Sequence, residues 1–236
     1  REAGPIRKIE LPTAGSVGQK PMVRGSELAS ILNELVWRIS RRLQGLGDGV
    51  PNFVLPWAAG EATSLPSFRE VHGLRAACVA GVGLIKGLCR LMGMEVLEIQ
   101  GATGDIDTNY LEKARAAVRL LNNYDLIYVH VEAPDEASHR RSLSQKQWAI
   151  FQIGRLVEHV LSHTDLDDLV VAVLGDHTTS TRLGEHVADP APISIYSSEA
   201  LRDGVQRFTE RDAARGGLRR LRGVDILPLI KDLMGA

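Results

Sequence analysis

The sequence has few aromatic residues, 5% of 236 positions, and only two cysteines, Cys78 and Cys89. Both cysteines lie in apolar sequence, on what reads as a strand and the helix after it. They are expected to be buried thiols rather than a disulfide, which fits a reducing, cytoplasmic setting. No excess of charge is present either. A formal net charge of −1 gives neither nucleic acid nor an anionic membrane a reason to bind. Apolar runs are short. The stretch from Leu169 to Leu174 is far below the roughly 20 residues a membrane-spanning helix requires. No basic start followed by an apolar run marks a secretory signal. There is no internal repeat and no low-complexity segment. What remains is an ordinary globular composition, 44% hydrophobic and 24% charged, long enough to bury a sizeable core in one large domain or two smaller ones.

The first 25 residues or so are rich in Gly, Pro and Lys and read as strand and loop. From Ser26 to Leu46, the apolar residues Leu28, Ile31, Leu32, Leu35, Val36 and Ile39 recur at helical spacing. Ser26 serves as the expected N-cap, and Gly45 and Gly47 end the helix. Residues 47–70 hold many breakers and read as ordered loop with one short strand. From Gly73 onward the pattern changes. LRAACVAG is a strand, VGLIKGLCRLMG a helix ending at Gly93, and MEVLEI a second strand. After the turn GATGD come the helix TNYLEKARAAVRLLNN, the strand DLIYVHVEA and a long helix from Ser144 to His163. DDLVVAVLGDH and PISIYS are further strands, and a short helix spans Ile226 to Leu233. Continuous apolar strands alternating with helices predict an α/β fold with a mostly parallel sheet covered on both faces. Ligands of such sheets sit beyond the carboxyl ends of the strands.

Two of those strands end in residues of metal-ligand type. DLIYVHVEA runs into Pro134, Asp135, Glu136 and, four residues after Asp135, His139. The second strand runs through Gly175 into Asp176 and His177, and His186 follows nine residues later. An Asp and a His four apart close on one ion from a helical turn. Adjacent Asp and His side chains diverge, and so suit two neighbouring ions better than one. Imidazole with carboxylate suits zinc, manganese or iron, and a pair of such ions clamps a transferring phosphoryl group. Either motif alone is weak, because a strand-end Asp is often only a turn or cap residue. Their coincidence at equivalent strand ends carries the reading. Asp107 is expected to cap its helix. His72, His159 and His163 read as ordinary, and Arg215, Arg219, Arg220 and Arg222 as a solvated basic face.

The runs HVEAPDEASH, GDHTT and EHVADPAPISIY resemble the metal-binding signature of the alkaline phosphatase superfamily. Together with GVGLIKGLCRLMGM, GATGDIDTNYLEKA and RFTERDAARGGLRRLRGVDILPLI, they resemble the archaeal-type, cofactor-independent phosphoglycerate mutases of glycolysis. The resemblance implies that Asp135, His139 and His186 hold one divalent ion, Mn2+ or Zn2+, and that Asp176 and His177 help hold a second. It implies a small phosphorylated acid as substrate, and Lys86 as the cation that contacts its phosphoryl group or carboxylate. A solvated lysine on an amphipathic helix is the competing reading of Lys86. The family's nucleophilic Ser and a further Asp lie in an N-terminal segment that precedes everything here, and no Ser in this chain matches the nucleophile's motif. The chain is therefore expected to be inactive alone, with the nucleophile supplied by another segment or chain. Residues 1–72 are expected to be part of the inserted cap domain, and 73–236 the C-terminal part of the phosphatase-type domain.

The chain departs from the family at several points. Arg140-Arg141 stand where glycine and an acidic residue are common after the first histidine, and Ser180 stands for the usual proline. Gly154-Arg155 replaces an expected aspartate, and VLPWAAG a Trp- and Gly-rich run. The expected function is a metal-dependent phosphomutase interconverting 3-phosphoglycerate and 2-phosphoglycerate. Alternatives are a non-catalytic metal-binding or interaction protein retaining half the site, and a phosphatase or phosphonate hydrolase of the same superfamily.

Overall fold

The structure, a computed structural model, describes residues 9–10, 24–25, 27–44, 53–54, 56 and 63–235. The chain divides into two compact units, residues 1–64 and 65–236. The division precedes the boundary expected after residue 72, because Phe68 is built into the core of the second unit.

In the first unit the strands β1 (Ile9–Glu10) and β2 (Arg24–Gly25) pair antiparallel, and α1 spans Glu27–Leu43. The expected cap Ser26 and the stops Gly45 and Gly47 lie outside the described residues. Val36 and Ala29 are buried on one side of α1, and the Trp37 and Phe53 rings meet edge-on at 5.9 Å.

The second unit is organised around β3 (Ala76–Val79), every residue of which is buried. It is the middle strand of a parallel sheet ordered β4-β3-β5, with β4 at Glu95–Val96 and β5 at Leu126–Val129. Alternate β3 side chains face opposite ways, and each face meets different helices. Ala76 and Cys78 pack with Phe68 of α2 (Phe68–His72), Cys89 of α3 (Gly83–Leu91) and Leu227 of α8 (Gly223–Met234). Ala77 and Val79 pack with Ala116 and Leu120 of α4 (Tyr110–Leu120). Small side chains let the helices approach closely, so both sides of the sheet are covered, as the apolar strands predict. Both cysteines are buried and free, and burial beside Cys89 pushes the Cys78 thiol up to about 12.

A third apolar cluster binds α4 to α5 (Ala133–His139) and α6 (Leu143–Ser162) through Tyr110, Ala114, Ala133, Ala149 and Leu156. α5 leaves the C-terminal end of β5, and Pro134 sits in its first turn, where its missing N–H costs nothing. Farther along, β6 (Val171–Leu174) pairs antiparallel with β9 (Ile193–Tyr196). Between them lies a hairpin of β7 (Thr178–Ser180) and β8 (Glu185–Val187). A four-residue helix, α7 (Glu210–Ala213), precedes α8.

Two expectations change. The strand expected to be buried, β6, is only half-buried and Leu174 is exposed, since its pairing partner β9 covers an edge and not a face. Asp107 does not cap α4. Asn109 does, accepting from the Glu112 N–H, while Asp107 accepts a hydrogen bond from the Thr103 hydroxyl at 2.6 Å.

Candidate metal centre

Asp135 lies in the first turn of α5 and His139 in its last, one helical repeat apart, so both side chains leave the same face. The β7–β8 hairpin brings the third member to them. Its register sets Thr179 opposite His186, and paired residues project to the same side of a hairpin. Their side chains therefore meet Asp135 together. His139 Nε2 lies 3.2 Å from Asp135 Oδ2, His186 Nε2 lies 3.4 Å from Asp135 Oδ1, and the two Nε2 atoms are 3.2 Å apart. One donor atom from each of the three residues falls within 4.8 Å of the others.

Two imidazole nitrogens and a carboxylate converging at that spacing are the donor set a divalent ion takes. The surroundings favour the same arrangement. His139 Nδ1 is 2.8 Å from the Gly184 carbonyl, which can only accept. The proton is thereby fixed on Nδ1 and the Nε2 lone pair faces inward. Gly184 occupies the left-handed region at φ +71°, and its N–H closes the tight turn onto the Ser180 carbonyl at 2.7 Å. A Cβ there would lie 3.2 Å from the His139 carbonyl and 2.9 Å from Arg141 Nε.

Asp176 and His177 follow β6 after Gly175, in a bend before β7. His177 Nε2 lies 3.6 Å from Asp176 Oδ2, and its ring packs against that of His186 at 4.0 Å between centroids. The Asp176 side chain is 77% exposed, against 18% for Asp135. The pair thus adjoins the three-ligand cluster and leaves an open side. Negative charge accumulates here. Burial, reinforced by the Asp135, Asp176 and Glu136 carboxylates, pushes the Glu132 carboxyl above its usual range.

Beneath the cluster, His130 and Glu132 are joined at 3.2 Å. The wholly buried Lys113 donates to the His130 carbonyl at 3.0 Å. Burial holds the Lys113 ammonium down at about 8 and lowers His130 as well. Lys86 is engaged with Glu98 at 2.7 Å, and Arg90 shares that carboxylate. Its side chain is only 20% exposed, so it is not a freely solvated lysine.

The Arg140-Arg141 departure has a structural reading. Arg140 forks onto Asp105 of the GATGD loop, holding that carboxyl below its usual range. Arg141 adopts φ +55° between α5 and α6, the conformation a glycine takes at a helix C-terminus.

Sequence reasoning missed Thr179 and Gly184. Thr179 is within GDHTT, but a hydroxyl gives no ligand signal by itself. Its Oγ1 donates to Asp135 Oδ1 at 2.5 Å and lies 3.1 Å from His177 Nδ1.

This α/β scaffold, with carboxylate and imidazole side chains of metal-ligand type gathered past its strand ends, has the arrangement of a metal-dependent class of protein. The metalloenzyme superfamily profile matches residues 16–232, and the chain belongs to that superfamily. Within it, the chain is similar to proteins named 2,3-bisphosphoglycerate-independent phosphoglycerate mutase. It is 36% identical to the one from Pyrococcus furiosus over 218 residues, covering 88% of this chain and 53% of that protein. With the Sulfurisphaera tokodaii protein the identity is 39% over 212 residues, covering 86% and 51%. The chain thus spans about half the length of the curated relatives it matches. Among solved structures, the PH0037 protein from Pyrococcus horikoshii aligns with a TM-score of 0.72 at 33% identity, covering 86% of this chain and 63% of that one. A cofactor-independent phosphoglycerate mutase from Thermoplasma acidophilum aligns with a TM-score of 0.59 at 25% identity, covering 97% and 59%.

Proposed function

We propose that this chain forms the metal-binding part of a phosphomutase that interconverts 3-phosphoglycerate and 2-phosphoglycerate. The convergence of Asp135, His139 and His186 on one point carries the reading, and the similarity to phosphoglycerate mutases supports the choice of substrate. Asp135, His139 and His186 hold one divalent ion, Mn2+ or Zn2+, and Asp176 and His177 contribute to a second. When bound, the ions supply charge neutralisation to the transferring phosphoryl group and lower the pKa of the attacking hydroxyl.

The residues of this chain orient and hold. The Gly184 carbonyl fixes the His139 ring, and α5 sets Asp135 one turn below it. Lys86, paired with Glu98 here, exchanges that partner for the substrate's phosphoryl or carboxylate group. The nucleophile is a serine from a segment outside these residues. It takes the phosphoryl group from one hydroxyl of the substrate, and the phosphoserine returns it to the other, while a closed site excludes water.

The test is phosphorus NMR of the polypeptide that includes the nucleophile, given 3-phosphoglycerate with Mn2+ or Zn2+. Appearance of 2-phosphoglycerate is expected. Release of inorganic phosphate without isomerisation would instead favour a phosphatase of the same superfamily.

A further inference from the structure

Resting on the metal-centre reading above, we infer that Thr179 is a positioning residue that ties the two ligand sets together through one directed hydrogen-bond chain. Its hydroxyl is 2.5 Å from Asp135 Oδ1 and 3.1 Å from His177 Nδ1. A hydroxyl has one proton to give, and an ionised carboxylate can only accept. The proton therefore points to Asp135. The oxygen is left to accept, and its remaining neighbour is His177 Nδ1, which must carry a hydrogen. That assignment selects the tautomer of His177 whose Nε2 lone pair is free, on the side of Asp176. A single side chain thus orients a carboxylate of the first set and an imidazole of the second.

The hydroxyl is held in place from several directions. Thr179 is 4% exposed. Its carbonyl accepts from Lys146 Nζ at 2.8 Å, which clamps β7 to α6. Across the hairpin it is paired with His186, itself a member of the first set. Thr179 consequently touches or faces three of the five ligand-type residues without being one of them. Groups that orient ligands in this way are worth about 10–100-fold in metal affinity.

The experiment compares the wild-type chain with T179V, which keeps the shape and removes the hydroxyl, and T179S, which keeps the hydroxyl. Zn2+ binding is measured by competition with a chromophoric chelator, and the tautomer of His177 by nitrogen-15 NMR of the metal-free protein. Wild type and T179S should show His177 protonated on Nδ1 and bind Zn2+ within about threefold of each other. T179V should lose the fixed tautomer and bind roughly tenfold or more weakly, with an unfolding temperature close to that of wild type. A T179V protein with wild-type affinity and tautomer overturns the inference, as does a T179S protein as impaired as T179V. If wild type and D135A bind Zn2+ alike, the metal-centre reading itself fails. That result is distinct, because the metal-free tautomer is read independently.

Discussion

The two strand ends that carry ligand-type residues are built differently. Past β5 the chain enters a helix, so Asp135 and His139 stack one turn apart, and a hairpin from elsewhere lays His186 across them. Asp135 is 18% exposed and in contact with both imidazoles. Past β6 the chain bends into β7 at Asp176 and His177, neighbours that diverge, leaving Asp176 77% exposed. A helical turn with a hairpin opposite brings three ligand-type side chains together, whereas adjacent residues in a bend bring only two and leave them open on one side. The first set is therefore expected to bind an ion by itself, and the second only weakly.

The largest effect that would break this contrast comes from the two aspartates. D135A should reduce Zn2+ affinity at the tight position by more than about 100-fold, well beyond what loss of an outer hydrogen bond costs. D176A should leave that position within a few-fold of wild type. Calorimetric titration of both variants checks the pair, and equal losses would mean that the two sets are one.

A smaller effect is expected from G184A. The alanine must adopt φ +71° with its Cβ against the His139 carbonyl, at a cost of about 1–2 kcal/mol. The shift moves the Gly184 carbonyl away from His139 Nδ1 and frees the ring, so affinity should fall by about tenfold at the first position alone. Urea unfolding and the same titration read the two consequences separately.

The smallest effect concerns the buried support of the first set. Lys113 is held down at about 8, against an ordinary value of 10.5, by burial. In the unfolded chain it stays protonated to higher pH, so the folded state binds fewer protons across this window. The sign follows: stability rises with pH from about 8 toward 10.5, as the cost of the buried charge disappears. Between about pH 7 and about pH 8.5 the gain is under about 1 kcal/mol. K113M should flatten this rise in urea titrations at the two pH values, and an unchanged slope would show that Lys113 does not titrate there.

Much of this organisation was readable in advance, for identifiable reasons. β3, β5 and the helices α3, α4, α6 and α8 follow from apolar runs and helical spacing, because burial on two faces or one writes itself into composition. The five ligand-type residues stood out because they follow strand ends where α/β folds gather function. The β7–β8 hairpin was not legible: TTS and EHV carry no apolar alternation, and their pairing depends on a turn closed by Gly184. Thr179 and Gly184 were hidden with it, since a hydroxyl and a carbonyl acquire their roles only once that register exists. α2 was missed for a related reason. Its five residues are too few to show a period, although Ser67 and Glu70 form a reciprocal capping box.

The most direct measurement is X-ray diffraction at the zinc absorption edge from crystals of this chain grown with Zn2+. The account predicts an anomalous peak at about 2.0–2.2 Å from Asp135, His139 Nε2 and His186 Nε2, stronger than any peak beside Asp176. Absence of a peak among those three residues, or the stronger peak at Asp176 and His177, would contradict it.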